Sequence, residues 1–298
     1  MDSLLNGISS VWAAASTFLN SNLVIAFVGG LTGAVGGALG AQRIVESSKK
    51  REERLRELRY TNAAIMVSFS ICNAALAIKK QFVQPMWDAF QRSKRDLQDF
   101  QTQRQAGQVA PATEFHLQMD MNTFPAPVVP LESLKHIAFQ ELSIVGRPLA
   151  LVAVIEQSLK GLAVAVEKRD LTIQRFASGE IPEKLQANFY FGLPLPGGHR
   201  HEEYPDLVEG IHSYVDDVAF FSALLCSDLM KHGALVRVAL TRRFGGQAPK
   251  VSSVDFSGPR QSGLVPPDSQ YEDWLKAFVE RGDTDAQTFH RADVPKAA

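Results

Sequence analysis

The stretch "HRHEEYPD" carries the densest set of groups that could ligate a metal or move a proton. His199, His201, Glu202, Glu203 and Asp206 fall together here, and His212 and Asp216 follow one to two helical turns later. His212 and Asp216 stand four positions apart, on one face of a helix, a spacing able to hold a divalent ion. His199, His201, His212 and Asp216 are therefore the candidate metal ligands, and a metal-dependent enzyme is the least favoured of three readings. A zinc hydrolase would present H-E-x-x-H, which is absent. Solvated residues at the start of a helix explain the same cluster without chemistry. Asp216 and Asp217, beside Val218 and Phe220, are expected on a bundle surface or as partners of Arg169, not as paired acid and base.

Nucleophiles are scarcer still. There is no G-x-S-x-G, and neither Cys72 nor Cys226 has an adjacent histidine or basic helix end to lower its pKa. Both cysteines lie inside apolar helical patterns and are expected as buried, reduced thiols. No catalytic residue and no cofactor is expected, and the chain is not predicted to be an enzyme. The net charge of −1 gives no global field toward nucleic acid, and the aromatic residues follow core spacing rather than a basic strip.

The strongest pattern is glycine-rich. In "FVGGLTGAVGGALGAQR", Gly29, Gly30, Gly33, Gly36, Gly37 and Gly40 contain no G-x-G-x-x-G triplet, and no lysine precedes Lys49, so neither a dinucleotide fold nor a P-loop fits. A span from Asn22 to Ala41 has the roughly 20 residues needed to cross a bilayer. Gly29, Gly33 and Gly37 repeat every four residues, as do Ala26, Gly30, Ala34 and Ala38, giving two adjacent strips where another helix backbone can approach closely. Six glycines would cost a soluble helix about 1 kcal/mol each. A cleaved signal peptide would place its positive charges before the apolar stretch, whereas here they follow it.

Between Met1 and Gln42 the only charged residue is Asp2, whereas Arg43 to Arg59 holds seven basic and four acidic residues. Arg43, Lys49, Lys50, Arg51 and Arg54 form a basic cluster suited to a membrane surface, and its bias keeps the body cytoplasmic. The tail before Asn22 would then cross the membrane, with Trp12 as an interfacial anchor.

Helices must position all of this. From Arg43 to Arg104 the chain has no glycine and one proline, Pro85, predicting a long helix with a solvated charged start and a kink. Its middle, Thr61 to Ile78, is apolar enough to suggest a second span. The polar line Asn62, Asn73, Lys80 and Gln84 favours a bundle core instead. After a prolyl region that holds one short extended piece, a second helix is expected from Pro130 toward Ser178, with Leu142, Val145, Leu149, Val152, Leu159, Val166 and Ile173 on a 3.5-residue repeat. A third starts at Pro205 and stops at Gly245 and Gly246, with Ile211, Val215, Val218, Ser222, Leu225 and Leu229 facing inward. "SQYEDWLKAFVER" predicts a short amphipathic helix before a polar tail.

The expected fold is all-α: a single N-terminal transmembrane helix followed by an elongated antiparallel bundle of long helices. Residues 1–21 are a short tail, 22–42 the span, 43–245 the cytoplasmic bundle with its stalk, and 246–298 the loop, short helix and polar tail. The expected role is a non-enzymatic scaffold or adaptor, single-pass in the cell (inner or plasma) membrane. It self-associates through the glycine face and binds a protein partner, and its contacts are the lipid bilayer, itself and that partner, with no nucleic acid. The alternative is an oligomeric membrane effector or channel gated by the Gly/Ala helices, with a narrow apolar pore.

Overall fold

The structure is a computed structural model that describes residues 22–110 and 112–278, with side chains from residue 41 onward. The tail with Trp12, the polar C-terminal tail, and the helix contacts expected of Ala26, Gly29, Gly30, Gly33, Ala34, Gly37 and Ala38 lie outside that description. Among the described residues every regular element is helical, and one isolated bridge joins Pro194 to Arg200. The described residues form two units: those up to Arg56 with Leu240–Gln247, and Glu57–Ala239 with the chain from Ala248.

In the first unit, helix α1 (Asn22–Ile78) passes without interruption from the glycine-rich stretch into the charged stalk. Residues 41–54 are exposed on every side, Ile44 and Val45 included, in a stretch that is otherwise largely charged and polar.

In the second unit the burial pattern of α1 changes to steps of three and four: Leu58, Thr61, Ile65, Ser68, Cys72, Ala75 and Lys79 are buried. Asn73 and Lys80 are exposed, so the polar line seen in the sequence is the solvent edge of a core helix. The irregularity expected at Pro85 appears one turn earlier, as a π turn over Lys79–Val83 leading into α2 (Gln84–Gln105). Pro85 has no N–H to give back to the preceding turn, and widening that turn accommodates the loss.

Helix directions follow from cross-helix contacts. Against α6 (Glu203–Phe244), Cys226 meets Ile65, Ser68 meets Ser222 and Cys72 meets Ala219, so α1 and α6 are antiparallel. Against α4 (Arg147–Ala177), Arg147 meets Asp228 and Ser158 meets Asp217, so α4 and α6 are antiparallel too. Helices α1 and α4 therefore run parallel, which no short loop permits. The connection, residues 106–146, returns along the bundle: Phe115 packs on Phe100, the Gln118 carbonyl accepts from Ser93, Phe124 stacks on Phe82, and Ser143 reaches Glu57. An irregular strap thus takes the place of a descending helix.

This strap ends the expected second helix in two pieces. Helix α3 (Leu131–His136) runs into a π turn at Ile137–Glu141, and Leu142 is extended. Gly146, at φ 69° and ψ −125°, then starts α4 in a new direction. Val145 is consequently 80% exposed rather than in the core repeat, whereas Val152, Leu159, Val166 and Ile173 are buried. The loop expected between the second and third helices holds a further helix, α5 (Glu183–Phe191), started by Pro182 and stopped by Gly192 at φ 66°. All six inward positions assigned to the third helix are buried in α6.

A second strap closes the bundle. Beyond α6 the chain runs beside α1, through α7 (Ser257–Gln261) and a 3-10 turn (Asp268–Tyr271) into α8 (Glu272–Lys276). Asn62 binds it at both ends of its amide, donating to the Lys250 carbonyl at 2.9 Å and accepting from the Ser252 N–H at 2.8 Å. Phe256 packs on Phe69.

Candidate functional site

The core falls into two apolar clusters. One contains Ile65, Leu76, Leu159, Val218 and Leu229; the other contains Val83, Phe90, Leu162, Ile173 and Val215. Where they meet, each helix contributes a polar group. The Lys79 ammonium lies 2.5 Å from Asp216 Oδ1, a contact of opposite charges without hydrogen-bond alignment, with both side chains under a tenth exposed. Lys79 Nζ also donates to the Leu264 carbonyl at 2.9 Å. Asp217 accepts from the Tyr271 hydroxyl at 2.9 Å and from Ser158 at 3.3 Å, and Tyr271 stacks on Phe220 at 4.0 Å. Burial raises the Asp217 pKa above the usual carboxylate range, against the two hydrogen bonds that lower it. The same group of residues therefore joins three helices and fastens the C-terminal strap.

Asp216 is thus buried and Asp217 half-buried, and neither pairs with Arg169 as the sequence suggested. Arg169, 1% exposed, instead donates to the carbonyls of Asn122 (2.8 Å) and Asp120 (3.2 Å) on the return strap. Its guanidinium stands 5.7 Å from the Phe124 ring centre and 5.9 Å from that of Tyr204, within cation–π range. Held this way, residues 115–124 form one wall of a groove of about 980 Å³ whose other wall is α2. Phe82, Met86, Met119 and Met121 line it, and methionine is a side chain that adapts to varied partners.

The four candidate metal ligands are not gathered into one group. His201 stacks on Phe189 and His212 on Trp87, while Asp216 faces Lys79 with His212 Nδ1 3.9 Å away. Among the described residues no three His, Cys, Asp or Glu side chains converge. Burial pushes the thiols of Cys72 and Cys226 up to about 12 and about 11, so both are protonated and poor nucleophiles.

One polar cluster was not visible in the sequence. Glu57 accepts a hydrogen bond from Ser143 and lies 3.1 Å from His232 Nε2, and Arg147 grips Asp228 through Nε and Nη2 at 2.8 and 2.6 Å. Ser143, Arg147, Asp228 and His232 border a cavity of about 590 Å³. The serine hydroxyl points at the carboxylate and the histidine at the same oxygen, so this is a joint between α1, α4 and α6 rather than a serine–histidine relay. These residues are 86 to 175 positions apart from Glu57; the packing of α1 on α6 brings in His232, and the return strap brings in Ser143.

No family model, curated protein or solved structure matches the chain.

Among the described residues, three helices are long and apolar enough to cross a membrane by length and composition: the one running through residues 41–105, Arg147–Ala177 and Glu203–Phe244. Membrane association is therefore possible. The exposed basic residues Arg43, Lys49, Lys50, Arg51 and Arg54 all lie on the stalk.

Proposed function

We propose that the chain is a membrane-anchored, self-associating helical adaptor without catalytic activity. Residues 22–42 are the single span, the body is cytoplasmic, and the groove between α2 and the return strap receives an apolar segment of a protein partner. The observation that carries this reading is the unbroken course of α1, in which an uncharged glycine-rich stretch continues directly into the exposed residues 43–54, eight of which are charged.

What lies across α1 supports keeping the bundle out of lipid. The C-terminal strap crosses Asn62 to Lys79 as irregular backbone with exposed Lys250, Ser253 and Asp255. Lipid-exposed irregular backbone does not occur in the hydrocarbon region. The glycine ladder supplies the self-association, because close backbone approach is what drives helix pairing in a bilayer.

The test is alkaline extraction and detergent-solubilised mass determination on the full chain and on Gly33→Leu. The expected result is an extraction-resistant oligomer that Gly33→Leu converts to a smaller species with unchanged helical content. A full chain that stays soluble without detergent refutes the span, and an unaltered oligomer in the variant refutes the glycine contact.

A further inference from the structure

The unit that contains the stalk also contains Leu240–Gln247, the C-terminal end of α6 and the three residues that follow it. Its charge is lopsided. Arg43, Lys49, Lys50, Arg51, Arg54, Arg56, Arg242 and Arg243 stand against Glu46, Glu52 and Glu53, although the whole chain has a net charge of −1. Arg242 and Arg243 are exposed, and the Arg243 guanidinium stands 5.5 Å from the ring centre of the half-buried Phe244. On the stalk, Ile44 and Val45 are 71% and 66% exposed, so apolar and cationic side chains are presented side by side. That combination suits the headgroup region of an anionic bilayer: hydrocarbon for the acyl boundary, positive charge for the phosphates.

We propose that Leu240–Gln247 is a second membrane-touching element, in which Arg242 and Arg243 dock on anionic phospholipid headgroups of the leaflet from which the stalk emerges. This rests on the reading of residues 22–42 as the span. It adds that the body is fastened to the membrane at two points, one through the hydrocarbon and one electrostatic and reversible. Gly245 and Gly246, at φ 67° and 74°, lie within this element and end the helix just after Arg242, Arg243 and Phe244. Basic residues in a last turn also favour a helix C-terminus through its dipole, a role that is indifferent to lipid charge.

The experiment uses the full chain in nanodiscs with an environment-sensitive fluorophore on Gln247→Cys. Gln247 is exposed while Cys72 and Cys226 are buried, so labelling is selective. The expected result is a blue-shifted signal in discs containing phosphatidylglycerol, absent in pure phosphatidylcholine and abolished by high salt. Each arginine near an anionic surface contributes about fivefold, so Arg242→Gln with Arg243→Gln lowers the docked-to-undocked ratio about 30-fold. A signal equal in both lipids, or unchanged in the double variant, overturns the proposal while the chain remains in the disc. A response to added double-stranded DNA in neutral discs, with none to anionic lipid, overturns it in favour of another polyanion. A chain that does not co-elute with discs overturns the span and this proposal together.

Discussion

Lys79→Met is the most informative single change. It removes an ammonium that is 2.5 Å from a buried carboxylate and that donates to the Leu264 carbonyl at 2.9 Å, with the Gly263 carbonyl at 3.4 Å. The methionine fills the space but leaves Asp216 as an uncompensated charge between two apolar clusters. Breaking one side of such a pair costs about 3–5 kcal/mol. At about 2–4 °C per kcal/mol, the melting temperature should fall by roughly 6–20 °C. Asp216→Leu should fall in the same range, because the ammonium then keeps only carbonyl partners. Lys79→Met with Asp216→Leu makes the layer apolar and should recover most of the loss, giving a coupling energy of about 2 kcal/mol or more. Thermal denaturation of the four proteins in one detergent measures the cycle. Amide exchange in the strap supplies a local check, since Lys79→Met should deprotect the segment around Leu264 more than Asp216→Leu does. Single variants that each cost under about 1 kcal/mol and simply add would refute the claim that this layer couples the helices to the strap.

Gly161 faces Tyr214, and a Cβ there would meet the ring at 2.7 Å. Gly161→Ala should therefore destabilise by about 1–3 kcal/mol, and Tyr214→Ala in the same chain should return part of it, both read by denaturant titration. His212 gives a pH dependence. Burial lowers its pKa below the usual value of 6.5, outweighing Asp216, Asp88 and Glu209, which raise it, while Lys79 lowers it further. The folded state thus binds this proton less readily than the unfolded one, so the stability contribution is full above the unfolded pKa and is lost as pH falls through and below about 6.5. His212→Phe should flatten the decline in melting temperature between about pH 7.5 and 5.5, and an identical slope in both proteins would remove His212 as its source.

The inward positions of α6 are legible because a residue every three or four steps faces the core: Ile211, Val215, Val218, Leu225 and Leu229 are apolar, and the small Ser222 fits among them. The same reasoning misplaced Val145, because periodicity continues through a stretch such as Leu142–Gly146 whether or not the backbone does. The positive φ at Gly146 is a conformational requirement that one glycine in a sequence announces only weakly. Helix α5 is hidden by its flanks, since proline and glycine are common in loops, whereas Pro182 and Gly192 are a start and a stop with nine helical residues between them. The candidate site was less legible still. Lys79 and Lys80 are indistinguishable by composition, yet one is buried against Asp216 and the other is exposed, a difference set by the phase of α1 and by the widened turn that begins there. The contacts of Arg169, Glu57 and Asp217 join residues far apart in sequence, and spacing rules see only neighbours.

Among the described residues, hydropathy alone ranks three helices as able to cross a membrane, and it cannot separate burial in lipid from burial in protein. The faces they turn outward can. On α4 the outward positions include Gln157, Lys160, Glu167, Lys168 and Gln174, a charged face that hydrocarbon would not solvate. On α6 the apolar centre has almost no outward face, since Val215, Val218 through Ala223, Leu225, Cys226, Asp228 and Leu229 are enclosed by the protein itself. On α1 beyond Thr61 the outward face is Ala63, Met66, Ser70, Asn73 and Ala77, and the strap with Asp255 lies alongside it. Each apolar stretch thus already has a protein partner or a polar outer face. That leaves the stretch before Gln42, where the sequence has glycine in place of side chains and no charge for twenty residues, as the one whose composition calls for a partner from outside the bundle. A bilayer with a second copy of the same helix meets that need, which is why our reading puts the membrane there and the adaptor surface on the rest of the chain.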